Sequence, residues 1–255
     1  MTKIIKYVWL DLLQNRTVLA YTVFLLAVSG VLFGMETNPG KALMSLLTIV
    51  LLVVPLISLV FTTIHFYNSY EFIELLLAQP IHRSRLLLSE WAGVASALVT
   101  AFFLGVGGPM LLFGAGPTGL ALLGAGLALT VIFVSLAFLV SVLTRDKAKG
   151  IGLALLLWFY CALLYDGLVL TVLFSFSDYP LEKPMLILTT LNPVDLARIA
   201  IMLQMDISAL MGYTGALYEQ FFGSAWGALY SGSIMALWAV LPLWGAVRVF
   251  SRKDL

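Results

Sequence analysis

The chain has 255 residues, of which 62% are hydrophobic and only 11% are charged, whereas about 25% of the residues of a soluble domain are charged. This composition excludes a soluble enzyme and predicts a single membrane domain over residues 1–255. The formal net charge of +1 argues against a nucleic-acid partner, which requires a basic surface. The one cysteine, Cys161, cannot form an internal disulfide, and the sequence predicts no resident metal or cofactor.

Six apolar stretches of the sequence are long enough to cross a bilayer, which requires roughly 20 residues of helix. We expect helices because backbone polar groups cannot remain unpaired in lipid, and the stretches lack the alternation of a membrane β-barrel. The predicted fold class is therefore all-α, a polytopic membrane protein with six transmembrane helices. The predicted spans are residues 17–34, 42–66, 86–114, 118–143, 150–176 and 226–250.

Residues 1–16 have the pattern of an amphipathic helix that precedes the first span. Apolar side chains recur at helical spacing from Ile4 to Leu13, with Lys3 and Lys6 among the polar positions. Trp9 and the lysines suit a helix that lies in the headgroup layer. The alternative is a cytosolic cap packed against the bundle.

The loop of residues 67–85, between the second and third spans, predicts a short amphipathic helix. Ser69 is a suitable cap, and Pro80 ends the helix because its ring and missing N–H break the hydrogen-bond ladder. Its apolar face consists of Phe72, Leu75 and Leu76, and its acidic face consists of Glu71 and Glu74. The basic residues after the proline are His82, Arg83 and Arg85. This helix is either a docking surface for a cytosolic partner or an ordinary connection with basic anchors.

The third and fourth spans contain small residues, and a short basic turn follows them. The small residues and the proline beside them are Gly105, Gly107, Gly108, Pro109, Gly124 and Gly126. Small residues allow close helix packing, which we expect here, and a gating hinge is the alternative. We expect the basic turn of residues 144–149 only to set topology.

Three ionisable side chains lie within or beside the spans. Asp166 sits about 24 Å along the fifth span if the helix begins at Gly150 and rises 1.5 Å per residue. A bare carboxylate is costly at that depth, so we expect it to be protonated, to pair with a polar group or to face a wet cavity. We expect His65 and Glu90, near cytoplasmic helix ends, to reach water. A proton-coupled carrier would usually bury several such groups, so their small number argues against that mechanism. An intramembrane enzyme would need a nucleophile–base pair or a metal cluster, and His65 has no partner at a suitable spacing.

Residues 177–225 form the longest polar segment, and we expect it to lie in water outside the membrane. Asn192 is a good N-cap, Pro193 fits the first helical position, and the helix is predicted to reach about Met211. One face of this helix holds Asp195, Arg198, Met202, Met205 and Asp206. Methionine thioethers bind Cu(I), but methionine is also a common packing residue, and without histidine or cysteine we expect packing.

The basic residues divide unequally between the two sides of the membrane, 11 to 3. Because lysine and arginine concentrate on the cytoplasmic side, we expect both termini there. The larger set is Lys3, Lys6, Arg16, Arg83, Arg85, Arg145, Lys147, Lys149, Arg248, Arg252 and Lys253; the smaller is Lys41, Lys183 and Arg198.

The first cytoplasmic loop resembles that of the type-2 ABC exporter permeases. It reads Tyr70-Glu-Phe-Ile-Glu-Leu-Leu-Leu-Ala-Gln-Pro-Ile-His-Arg-Ser-Arg-Leu-Leu-Leu-Ser-Glu90, similar to the family pattern Leu-Leu-(Ser/Ala)-x-Pro-(Ile/Leu)-x-Arg. In that family the helix before the proline is the coupling helix that docks on the ATPase, and an N-terminal elbow helix precedes the six spans. Glu90 departs from the family, which often has lysine or arginine there.

A second motif resembles the NosY-type branch of the same family. It is Leu191-Asn-Pro-Val-Asp-Leu-Ala-Arg198, before the last span. NosY-type permeases belong to an assembly with NosD and NosF that supports copper-site maturation of nitrous oxide reductase. The C-terminal Phe-Ser-Arg-Lys-Asp-Leu also resembles the ends of many such permeases.

The resemblance implies a permease subunit rather than an enzyme, in the bacterial inner membrane, as a homodimer. The sequence has no Walker A motif, so ATP and Mg²⁺ are expected in a separate NosF-like ATPase. The resemblance assigns ATPase coupling to Glu71, Phe72, Glu74, Leu75, Leu76, Pro80 and Arg83. It assigns contact with a NosD-like periplasmic partner, within the outer segment 177–225, to Asn192, Asp195, Arg198, Met202 and Met205. The alternative is an exporter of a drug, lipid or polysaccharide with the same fold.

Overall fold

A computed structural model describes residues 2–36, 38–77, 82–113, 116–175, 182–204 and 225–252. Within these ranges the chain is helical and contains no strand. Six helices are long and apolar enough to cross a membrane, which confirms the all-α fold with six spans. The candidate spans are Arg16–Met35, Gly40–Asn68, Arg83–Phe113, Gly116–Leu143, Lys147–Ser175 and Leu229–Arg252.

Twelve α-helices and two π-helical turns make up the described part of the chain. The helices are α1 (Thr2–Leu13), α2 (Arg16–Met35), α3 (Pro39–Asn68), α4 (Tyr70–Leu77), α5 (Arg83–Phe102), α6 (Gly108–Phe113), α7 (Gly116–Leu143), α8 (Lys147–Phe159), α9 (Tyr165–Ser175), α10 (Glu182–Thr190), α11 (Pro193–Gln204) and α12 (Ala225–Arg252). The π-helical turns, Phe103–Gly107 and Tyr160–Leu164, join α5 to α6 and α8 to α9.

The centre of the bundle is α7. Its sequence is apolar on all sides, which is typical of a helix surrounded by other helices. It packs against α3, α5, α11 and α12, and Phe133 and Phe138 on it are fully buried. Gly126 lets α5 approach closely, because a Cβ there would lie 2.2 Å from Cζ of Phe102.

The N-terminal helix α1 packs along α5. Val8 is buried in this contact, and Gly93 makes room for it, since a Cβ at Gly93 would lie 2.6 Å from Cγ1 of Val8. Tyr7 and Leu10 remain exposed on the other side of α1. The helix thus packs on the bundle and also presents an apolar face, which leaves both sequence-based interpretations of its role compatible with the fold.

The third span is continuous through the glycines for which a gating hinge was the alternative. The π-helical turn Phe103–Gly107 carries the chain from α5 into α6. Gly105 lies against α2, where a Cβ would be 2.6 Å from Cβ of Leu25, and its carbonyl accepts a 2.7 Å hydrogen bond from the Ser29 hydroxyl. Close packing, the expected role for Gly105, is therefore confirmed.

The outer segment differs from its expected position in water. Helix α11 is inserted into the bundle, where it packs against α7, α12 and α3. Val194, Leu196, Ala197 and Ile201 are buried along it. The expectation of water exposure is wrong for α11, because its apolar side chains are covered by three other helices.

Candidate functional site

The helix α4 occupies the predicted coupling-helix position, at a sharp corner after α3. Ser69 forms the corner: its backbone carbonyl accepts the Ile73 N–H at 2.9 Å, and its hydroxyl lies 3.4 Å from Nε2 of His65. Ile73 is only 1% exposed and anchors α4 on the bundle. Sequence reasoning missed this anchor. Tyr70 and Leu76 also pack against the core, and each lies three residues from Ile73, which is the spacing of one helix face.

The predicted apolar face of α4 divides into two parts. Phe72 is 40% exposed and Leu75 is 70% exposed, whereas Leu76 is half-buried against the core. Glu71 and Glu74 are exposed on the same short helix. Among the side chains of α4 that the structure describes, the exposed ones are thus two apolar groups and two carboxylates, and the Phe72 ring also contacts the Tyr7 ring of α1 at a centroid distance of 6.2 Å.

Two arginines belong to the chain segments next to α4: Arg83 follows it in the sequence, and Arg145 lies near it in space. Arg83 is the first residue of α5 and is half-buried, while Pro80 lies outside the described residues. Burial and the neighbouring Glu74 carboxylate raise the pKa of Tyr70, and Arg145 from the second loop, between α7 and α8, opposes this. The second loop thus lies close enough to α4 to influence its charges.

A buried pair connects the helices on either side of the coupling loop. Nε2 of His65, at the end of α3, lies 3.6 Å from Oε1 of Glu90 on α5. Glu90 is 2% exposed, and its other carboxylate oxygen has no hydrogen-bond partner. The expectation that Glu90 reaches water is therefore wrong, because the packing of α5 within the bundle buries the carboxylate.

At the outer end, the predicted cap of α11 forms and also fixes the helix to the fifth span. Oδ1 of Asn192 accepts the Val194 N–H at 3.1 Å, and Pro193 is the first helical residue as predicted. Nδ2 of Asn192 donates to the Cys161 carbonyl at 2.8 Å, within the π-helical turn Tyr160–Leu164. A π-helical turn changes the backbone pairing of a helix and is frequent at functional sites.

The outer cluster of Asp166, Asp195 and Arg198 is an ion-pair network within one chain. Nη1 of Arg198 donates to Oδ2 of Asp166 at 2.7 Å and to Oδ1 of Asp195 at 3.1 Å. Burial, together with hydrogen bonding and repulsion from Asp166, raises the pKa of Asp195 to about 7, against the opposing effects of Arg198 and Asn192. The two carboxylates therefore share one guanidinium, and the neutral form of Asp195 is favoured more than that of an ordinary aspartate.

The outer residues assigned to partner contact have different environments. Asn192 and Asp195 are buried, Arg198 is half-buried in the ion-pair network, and Met202 is half-buried against the core. Met205 lies outside the described residues. Their contact with a partner stays a prediction, and the side chains of Asn192 and Asp195 are already engaged within the chain. Of the alternatives expected for Asp166, the structure shows pairing with a polar group, the Arg198 guanidinium.

A cavity of about 470 Å³ opens near the outer end of the third and fourth spans. Its lining is almost entirely apolar and includes Met110, Leu111, Pro117, Leu120 and Leu123. Among the described residues, no group of three or more histidine, cysteine, aspartate or glutamate side chains could hold a metal ion.

The chain is similar to known ABC transporter permeases over most of its length. It is 28% identical to the probable ABC transporter permease protein NosY of Pseudomonas aeruginosa, over 92% of this chain and 89% of that one. It is 27% identical to the protein of the same name from Stutzerimonas stutzeri, with the same coverage. The family model for ABC-2 family transporter proteins matches residues 49–255. The spans, the corner at Ser69 and these similarities agree, and the chain belongs to the ABC-2 transporter family.

Proposed function

We propose that this permease subunit couples ATP hydrolysis in a separate cytoplasmic ATPase to movement of its membrane helices. The observation that carries the proposal is the exposed apolar surface of α4, where Phe72 and Leu75 project beside Glu71 and Glu74. An amphipathic helix binds a protein groove through such anchors. The chain acts as a homodimer in the inner membrane with both termini in the cytoplasm, and ATP and Mg²⁺ are held by the ATPase.

The arrangement supports transmission of movement because α4 is anchored and not free. Ile73 fixes α4 to the bundle, and the buried pair His65–Glu90 joins the helices that flank the loop. A displacement of α4 by the ATPase therefore moves α3 and α5 together. A buried polar group that loses its polar neighbour costs free energy, which favours movement of these helices as a unit.

The coupling proposal is tested with a double variant, Phe72→Asp with Leu75→Asp. Leu76 is left unchanged because its half-buried side chain would confuse docking with folding. The tagged chain is co-expressed with the ATPase subunit of the same organism, and the ratio of ATPase to permease is measured after purification. Losing two anchors should lower the ratio about tenfold or more.

The matched control is Ser251→Asp, which adds an acid to an exposed position near the end of α12. This variant should keep the full amount of ATPase. A double variant that inserts normally and still retains stoichiometric ATPase would contradict docking through α4.

For the outer end, we propose that the subunit transmits this movement to a NosD-like periplasmic partner in copper-site maturation of nitrous oxide reductase. The support is the similarity to the two NosY proteins and the firm attachment of α11, through Asn192 and Arg198, to the fifth span. A cell that lacks the chain should produce nitrous oxide reductase deficient in copper, measured as copper per purified enzyme. Full copper content would contradict this role.

The alternative proposal is export of an apolar molecule such as a lipid. The observation that favours it is the apolar cavity near Met110 and Leu120, since ligand cavities are mostly apolar. Purification of the intact complex distinguishes the two. Capture of a periplasmic protein with the ATPase favours the maturation role, and capture of the ATPase with bound lipid favours export.

A further inference from the structure

The end of α3, where the chain enters α4, is bonded to the second cytoplasmic turn between α7 and α8. The Tyr67 hydroxyl donates to Oγ1 of Thr144 at 2.5 Å, since the Thr144 hydroxyl itself donates to the Val140 carbonyl, and it lies 3.3 Å from the Thr144 carbonyl. Next to it, Nζ of Lys147 donates to Oδ1 of Asn68 at 2.7 Å. Two successive residues before the coupling helix are therefore held by the turn that connects the fourth and fifth spans.

Gly150 provides the space into which the Tyr67 ring fits. A Cβ at Gly150 would lie 2.3 Å from the Tyr67 hydroxyl oxygen and 2.6 Å from Cε2, distances that real Cβ atoms do not tolerate. A Cβ at Gly152, two residues further along α8, would meet no atom within 4 Å. Of these two glycines, only Gly150 is required by a close approach.

The start of α8 is itself held rigidly. Asp146 caps it, with Oδ1 accepting the Lys149 N–H at 2.9 Å and its carbonyl accepting the Gly150 N–H at 2.9 Å. The position of Gly150 is thus fixed relative to the turn. Tyr67 is hydrogen-bonded to Thr144 of that turn and packed against Gly150 of α8. Apolar packing of α3 on α7 is not directional. The hydrogen bonds and the fitted Tyr67 ring, by contrast, fix the end of α3 in one position relative to the start of α8.

We propose that Tyr67, Asn68, Thr144, Lys147 and Gly150 form a corner latch that passes movement of the coupling helix to the fourth and fifth spans. Tyr67 and Gly150 are positioning residues, and the inference rests on the proposed coupling to an ATPase. The basic turn, which the sequence predicts only to set topology, is then a mechanical part of the transporter. Thr144 and Lys147 of this turn contact α3. Arg145 lies close to Tyr70 of α4.

The test follows the position of the second cytoplasmic turn in the assembled transporter. A spin label is placed at the exposed Ala148, as Ala148→Cys in a Cys161→Ser background, and the full chain is purified in lipid nanodiscs with its ATPase. The distance between the two labels of the dimer is measured without nucleotide and with ATP bound to a hydrolysis-deficient ATPase. The distance should change with ATP in the parent chain and in Gly152→Ala.

In Gly150→Ala the ATP-dependent change should be lost, with the ATPase still bound in normal amount. Permease-dependent ATP hydrolysis should fall by about two- to thirtyfold, the range for residues within a coupled network. Tyr67→Phe, which removes the hydroxyl without adding an atom, should reduce the change in the same direction and covers the case in which Gly150→Ala does not fold.

Two results would overturn the latch: an unchanged ATP response in both Gly150→Ala and Tyr67→Phe, or no ATP response at Ala148 in the parent chain. Failure of the parent chain to bind any ATPase is a different outcome. It would reject the proposed function itself, and with it the latch.

Discussion

At the scale of single residues, Arg198 has a different role from the one that its position in the sequence suggests. It is the one basic residue of α11 and was expected to meet a periplasmic partner, yet its guanidinium binds Asp166 and Asp195 of its own chain. Arg198→Glu would therefore bring three carboxylates together and destabilise the outer cluster. A test of partner contact has to leave this network intact.

Asp166 and Asp195 should substitute for one another as partners of Arg198. Asp166→Asn leaves Asp195, which ionises more easily once the neighbouring carboxylate is gone, and Asp195→Asn leaves Asp166. The double variant leaves the guanidinium without a counter-charge and should lose about 1–3 kcal/mol more than the sum of the single effects. Thermal unfolding of the detergent-solubilised protein measures this.

The control for these variants is Asp11→Asn, at an exposed position of α1, which should change stability little. Strictly additive effects of the two outer substitutions would show that Arg198 does not depend on sharing the carboxylates.

The raised pKa of Asp195 gives a pH dependence with a defined sign. The folded state keeps a proton up to about pH 7, whereas the unfolded chain releases it near the usual value of about 4. Stability from this group is therefore fully present below about pH 4 and declines as pH rises towards 7. Relative to Asp195→Asn, the natural protein should be less stable at pH 8 than at pH 5.

The measurement is the difference in Tm between Asp195→Asn and the natural protein at those two pH values. Each kcal/mol corresponds to roughly 2–4 °C for a chain of this size. A difference in Tm that is the same at pH 5 and pH 8 would contradict a near-neutral pKa for Asp195.

At the scale of helices, glycines and carbonyl acceptors decide how the spans approach. Trp158 on α8 donates to the Leu52 carbonyl of α3 at 3.0 Å. This bond joins the second and fifth spans in addition to their apolar packing. The helix contacts of this protein thus use hydrogen bonds as well as shape.

Gly126 and Gly124 offer a matched pair on α7. Gly126→Ala should destabilise the protein by about 1–3 kcal/mol, the usual cost of overpacking, because the new Cβ meets the buried Phe102 ring. Gly124→Ala meets nothing within 4 Å and should be neutral or slightly stabilising, since alanine favours a helix. Thermal unfolding of both variants compares them directly, and equal effects would disprove the packing argument.

At the scale of the whole molecule, the 11 to 3 division of basic residues predicts that both termini lie in the cytoplasm. A fluorescent reporter fused after Leu255 should fluoresce in the cytoplasm, and an alkaline phosphatase fused there should be inactive. The same pair of reporters fused within the outer segment, near Ser177, should give the opposite result. An active phosphatase at the C-terminus would reverse the orientation and place α4 on the wrong side for a cytoplasmic ATPase.

Much of the fold could be predicted because it depends on local properties of the chain. The six spans follow from the apolar length that a bilayer requires, and the start of α11 follows from the capping preferences of Asn192 and Pro193. The corner helix α4 was recognised from its loop motif. Its buried anchor Ile73 was missed, because the helical period shows which residues share a face and not which face meets the bundle.

The sequence by itself determined the number and extent of the spans, the coupling loop and the family resemblance, since each lies in a continuous segment. Only the tertiary structure decided that α11 is inserted into the bundle, that Arg198 pairs with Asp166, and that Tyr67 fits against Gly150. Asp166 and Arg198 are 32 positions apart in the sequence, and Tyr67 and Gly150 are 83 positions apart. These contacts depend on which helix faces pack against each other in the folded bundle. Helical periodicity shows which residues share a face but does not show which other helix that face contacts.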